Sequence, residues 1–109
     1  MNNHYLVLVL TEPTEGNEDR FNDYYENIHL DEVIATTGWR SAQRFKLVDE
    51  VGEGCPLPYL AAYEAKAGSA EEVIARLNET RPERQQSDAL NKRSGRVWVF
   101  DQIGPRHEA

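Results

Sequence analysis

The segment Tyr5-Leu6-Val7-Leu8-Val9-Leu10 is apolar or aromatic at every position, and Pro13 and Gly16 close it. Six such residues ahead of these breakers read as a strand. Side chains alternate across a strand, so Leu6, Leu8 and Leu10 face one way and Tyr5, Val7 and Val9 the other. A sheet with one face in water should alternate apolar with polar. This strand does not. Nor do two others: Val97 and Val99 oppose Trp98 and Phe100, and Leu60 and Ala62 oppose Tyr59, Ala61 and Tyr63. Both faces of the sheet are expected to be dry.

The rest of the chain supplies the elements around that strand. A helix is expected from about Glu18 to Thr36, stopped by Gly38 in the left-handed region. Trp39 to Val48 alternates at period two and reads as a second strand. Asp49 to Pro58 carries Gly52, Gly54, Pro56 and Pro58 and reads as the hairpin loop before a third strand, Leu57 to Ala65. Ser69 and Glu72 form a capping box that opens a helix through Asn78, with Val73, Ile74 and Leu77 inward. Arg81 to Ser94 is polar and is expected to cover little core, with a short helix after Pro82. Val97 to Phe100 is the last strand, and Gly104 to Ala109 a tail.

The order β-α-β-β-α-β is an α+β, ferredoxin-like arrangement: a four-stranded antiparallel sheet with two helices on one face, in one domain of 109 residues. No remaining segment is apolar enough to cover the second face. A second copy of the chain is expected to do so, giving a homodimer that closes as a dimeric α+β barrel. The alternative is a central first strand that simply tolerates extra apolar residues.

Composition narrows the function classes. Twelve basic residues stand against 19 acidic ones, a net charge of −7. Phosphate backbones are bound by clustered Lys and Arg, so nucleic acid is not expected as a partner. The single Cys55 excludes an internal disulfide and a thiolate zinc site. The apolar run Tyr5 to Leu10 is too short for a signal-peptide core or a membrane span. The expectation is a cytoplasmic protein with no membrane partner.

The first helix carries the best chemical signal. Drawn as a straight helix, Phe21, Tyr24, Tyr25, Ile28, Glu32 and Ala35 share one stripe, with His29 at its margin. A carboxylate there is out of place, and Leu30, Val33 and Ile34 fall off the stripe. A break near His29-Leu30-Asp31 would turn those three inward and leave His29 between helix and sheet. An imidazole there can exchange a proton near neutral pH, and a phenol such as Tyr25 can donate to a developing enolate oxygen. The same spacing also fits a core histidine satisfied by a backbone carbonyl. His4 and His107 are terminal, and no ligand spacing for a metal is present.

Trp39, Phe45, Tyr59, Tyr63 and Trp98 all lie on strands. Each fits plain core, and together they fit a cavity for a flat, mostly apolar molecule. Arg44 reads either as an anchor for an anionic or phenolic group or as a solvated strand residue. The basic residues of Glu79 to Arg96 read as solvated surface, or as a mobile cover over the pocket mouth.

Phe21-Asn-Asp-Tyr-Tyr25, His29-Leu-Asp-Glu-Val33 and Gly38-Trp-Arg-Ser-Ala-Gln-Arg44-Phe45 resemble the first half of EthD-like proteins of the dimeric α+β barrel superfamily. Asp31 stands where those chains often have proline, and Ile103-Gly-Pro-Arg106 is similar to their ends. The resemblance implies the homodimer and a pocket between sheet and helices. It also implies that His29 faces the ligand, with Tyr25 and Glu32 beside it. Its members include cofactor-free monooxygenases, polyketide cyclases, lactone isomerases and haem-binding enzymes, and fold alone does not choose among them.

The expected function is a cofactor-independent enzyme acting on an aromatic or polyketide-like compound by acid–base chemistry, of lyase, isomerase, cyclase or monooxygenase type. His29, Tyr25 and Glu32 are its candidate catalytic residues. Tyr24, Trp39, Arg44, Phe45, Tyr63 and Trp98 are the candidate substrate-binding set. The alternatives are a non-catalytic carrier of a small hydrophobic metabolite and a haem-binding protein with His29 as axial ligand.

Overall fold

In the computed structural model, which describes residues 3–109, the apolar first strand β1 (Asn3–Thr11) lies inside a four-stranded antiparallel sheet. It pairs with β3 (Tyr59–Ala67) on one side and β4 (Arg96–Asp101) on the other. The edge strand β2 (Ser41–Lys46) pairs with β3, giving the order β2-β3-β1-β4. This α+β topology is compatible with a ferredoxin-like fold. β1 extends beyond both expected ends, because ladder hydrogen bonds continue past the apolar run, whereas β3 is displaced by two residues, starting at Tyr59 instead of Leu57 and ending at Ala67 instead of Ala65.

The helical layer covers one face. Tyr5, Val7, Tyr59, Ala61, Tyr63 and Ala65 are buried against it. The first helical stretch is α1 (Glu18–Tyr24), a π turn over Tyr25–His29, and α2 (Leu30–Thr37). The irregularity lies ahead of the expected position and meets it only at His29. Leu30 N–H bonds back to the Tyr25 carbonyl, five residues away. The π turn adds one residue to the helix, so the inward positions advance by one. Val33 replaces Glu32 on the buried stripe, and Leu30 and Thr37 join it, while Ile34, expected inward, is only half-buried.

Gly38 ends α2 at φ 77°, donating its N–H to the Ile34 carbonyl at 2.8 Å. A Cβ at this position would touch nothing, so alanine here meets only the backbone cost of the left-handed region. Gly38→Ala should destabilise the chain by about 1–2 kcal/mol in urea unfolding. An unchanged midpoint would show that this turn relaxes to another geometry.

Ser69 caps α3 (Ala70–Glu79) by accepting from Glu72 N–H at 3.2 Å. Glu72 reaches back to Gly68 N–H at 2.8 Å, one residue before the cap. Among the described residues, no helix is long and apolar enough to cross a membrane.

The segment after α3 departs from expectation. It opens with a single 3-10 turn, Arg81–Glu83, and then forms part of the interior. Ala89 is fully buried and Arg84 is 6% exposed. Ala89 O accepts from Thr14 N at 2.7 Å, and Asn91 N donates to Glu12 O at 3.0 Å. Residues 81–96 therefore make a wall pinned to residues 12–14. They are not a loose cover.

The other face of the sheet stands open. Leu6, Phe45, Trp98 and Phe100 are 42–50% exposed. Register makes them one surface: Leu6 lies opposite Phe100, Leu8 opposite Trp98, and Phe45 opposite Leu60.

Candidate active site

A cavity of about 180 Å³ lies between the sheet, the helices and the 81–96 wall. His29, Tyr24, Tyr25 and Tyr63 line it. The π turn brings three of them together. The imidazole of His29 stacks on the Tyr24 ring at 5.1 Å and meets the Tyr25 ring edge-on at 4.8 Å.

The proton on His29 can be placed by counting. Tyr24 Oη lies 2.8 Å from the carbonyl of Gln85 and 3.0 Å from His29 Nδ1. A carbonyl only accepts, and a phenol has one proton to give. Tyr24 therefore donates to Gln85 and accepts from His29, so the imidazole carries its proton on Nδ1. Nε2 keeps its lone pair and has no hydrogen-bond partner among the described residues.

Burial, reinforced by Arg84 and then Arg81, pushes the His29 pKa down to about 4. The ring is thus neutral at physiological pH. Burial also raises the Tyr25 phenol to about 12 and lifts Tyr63 well above the ordinary value. The Tyr25 hydroxyl lies beside those of Thr11 and Tyr63. Both phenols stay protonated and can donate to an oxygen that gains charge.

Glu32 plays a different part from the one its sequence position suggested. It lies outside the cavity, and its carboxylate accepts from Gln85 N–H at 3.0 Å. That bond anchors the backbone of Gln85, whose carbonyl holds Tyr24, which holds His29. Glu32 is a positioning residue, linked to the imidazole through three hydrogen bonds in series.

Comparison of the chain with protein-family models, curated proteins and solved structures finds no match. The chemistry rests on the geometry.

The expected binding set divides. Tyr24 and Tyr63 line the cavity. Trp39 is buried outside it, packed edge-on against Tyr63 at 5.5 Å. Arg44 caps the aromatic end of the core, its guanidinium 5.1 Å from the Tyr25 ring centre and 5.4 Å from that of Tyr59. It also donates to Asn22 Oδ1 at 2.7 Å, so it is engaged by the core and does not line the cavity. Phe45 and Trp98 lie on the open face of the sheet, because their strand positions alternate away from the helices. The aromatics form two groups on opposite faces, and no single cavity holds them all.

Sequence reasoning missed the basic side of the cavity. Arg81, Arg84, Lys92 and Arg96 all line it. Residues 81–96 hold five basic and two acidic side chains in a chain of net charge −7. That local reversal of sign was the available signal.

Proposed function

We propose that the chain is a cofactor-independent enzyme that acts on a small aromatic or polyketide-like molecule by proton transfer through His29. The observation that carries this reading is the imidazole with its proton held on Nδ1 by Tyr24 and Nε2 left without a partner. Nε2 takes a proton from a carbon made acidic by a neighbouring carbonyl. Tyr25 and Tyr63 donate hydrogen bonds to the oxygen that becomes negative, and Nε2 then returns the proton to the same or another atom. Lyase, isomerase, cyclase and monooxygenase reactions all share this first step. The resemblance to EthD-like chains supports the assignment.

The second reading is a non-catalytic carrier of a small hydrophobic metabolite. One observation favours it: a group titrating near 4 is a weak base at neutral pH. Deuterium exchange separates the two. A panel of ring-sized enolisable ketones in D₂O, followed by proton NMR, should lose the signal of the acidic C–H in the presence of the protein and keep it with His29→Gln. Binding without protein-dependent exchange in any compound would favour the carrier. The haem alternative fits this site least, since the cavity is smaller than a porphyrin.

The functional unit in this reading is a homodimer. Its two sheets pack through the face that carries Leu6, Leu8, Phe45, Trp98 and Phe100, closing a dimeric α+β barrel. The open apolar surface supports this assembly, since a contiguous patch of that kind marks an interaction site.

A further inference from the structure

The cavity's charge is at odds with that of the chain. Four cationic residues line it, with no Asp or Glu among the lining residues, although acids outnumber bases 19 to 12 overall. Arg84 is the most constrained of the four. Its guanidinium donates to the hydroxyls of Thr36 at 3.0 Å and Thr80 at 2.6 Å, and to the Leu77 carbonyl at 2.9 Å. All three partners are neutral oxygens. No carboxylate pairs with it among the described residues; Glu32, the acid that acts on it electrostatically, is bonded to Gln85 N–H.

A buried cation without a counter-charge is costly and is kept where something else supplies the charge. A guanidinium has five N–H donors. Three are used, which leaves Nε–H and one on Nη2 for a ligand. Those two N–H groups suit the two oxygens of a carboxylate. The cavity also matches one ring in size, since an engineered void of about 150 Å³ takes up benzene. Tyr24, Tyr25 and Val33 give the ring an apolar wall.

The geometry points to a ring-sized organic acid as the ligand, its carboxylate held by Arg84 and Arg81 with Lys92 and Arg96 nearby, and its ring beside His29. This rests on the proton-transfer reading for what happens next, but the binding itself does not need it. A bound carboxylate also offsets the fields of Arg84 and Arg81 on His29, which add to the larger effect of burial, and so strengthens the base to that extent when the substrate is present.

Benzoate and its neutral isostere benzamide test the inference on the intact chain, with binding followed by calorimetry and the His29 ring resonances at pH 7 and low salt. Benzoate should bind and shift His29, and benzamide should bind at least tenfold more weakly. The variant Arg81→Gln with Lys92→Gln changes side chains at the cavity wall and spares the buried Arg84. It should lose at least tenfold in benzoate affinity with benzamide affinity unchanged. Equal affinity for the two probes, indifference of benzoate to the double variant, or inorganic phosphate binding as tightly as benzoate would each overturn the assignment. Selective benzoate binding in a protein that exchanges no C–H supports this inference and removes the enzymatic reading. Exchange of neutral ketones without benzoate binding does the reverse.

Discussion

His29→Gln will slow C–H exchange by about 10²–10⁴-fold and will also make the protein more resistant to acid. The two effects have one origin. Burial and the fields of Arg84 and Arg81 hold the folded imidazole at about 4, against an ordinary 6.5. Above pH 6.5 the ring is neutral in both states, and stability is full. As the pH falls from 6.5 toward 4, the unfolded chain takes up a proton that the folded chain refuses, so stability is lost. Below 4 both states are protonated, and the loss has reached its limit of up to about 3 kcal/mol. All other groups are common to the two proteins, so the difference between wild type and variant is the readout. Urea unfolding at pH 7.5 and 4.5 should show the wild type losing about 2–3 kcal/mol more than His29→Gln. Parallel curves for the two proteins would mean that the imidazole is solvated and its pKa ordinary.

If the open sheet face closes the proposed dimer, a pair of charges placed on it will leave monomers. Phe45 and Trp98 are half exposed on strands β2 and β4. Removing either from an apolar interface costs about 1.5–3 kcal/mol, and two-fold symmetry doubles each loss. Phe45→Glu with Trp98→Glu should therefore weaken association by well over about a hundredfold, at 1.4 kcal/mol per factor of ten. Sedimentation at micromolar concentration should find a wild-type dimer and a folded, monomeric variant. The His29 cavity lies on the other face and is built by one chain, so the monomer should keep its histidine geometry. A wild type that sediments as a lone protomer would remove the dimer and leave the site standing.

The sheet was legible because its strands declare themselves locally. Tyr5 to Leu10 has no polar position, and Val97 to Phe100 repeats the pattern. The helix irregularity was legible for the same reason in reverse: Glu32 on an apolar stripe conflicts with a straight helix, and one added residue removes the conflict. The wall at 81–96 was hidden because its burial is polar. Arg84 enters the interior through bonds to Thr36, Thr80 and Leu77, and no hydrophobic period records such contacts. Phe45 and Trp98 were misplaced for a simpler reason. Strand alternation says which residues share a face but not which face meets the helices; β1 settles that only once Tyr5 and Val7 are seen buried.

The account depends most on where the His29 proton sits, and nitrogen-15 NMR of the histidine rings across pH 3.5 to 8 reads it directly. The prediction is a neutral ring protonated on Nδ1 and bare on Nε2 throughout the neutral range, charging only near pH 4. An imidazole that charges near 6.5, or one that carries its proton on Nε2, would contradict it.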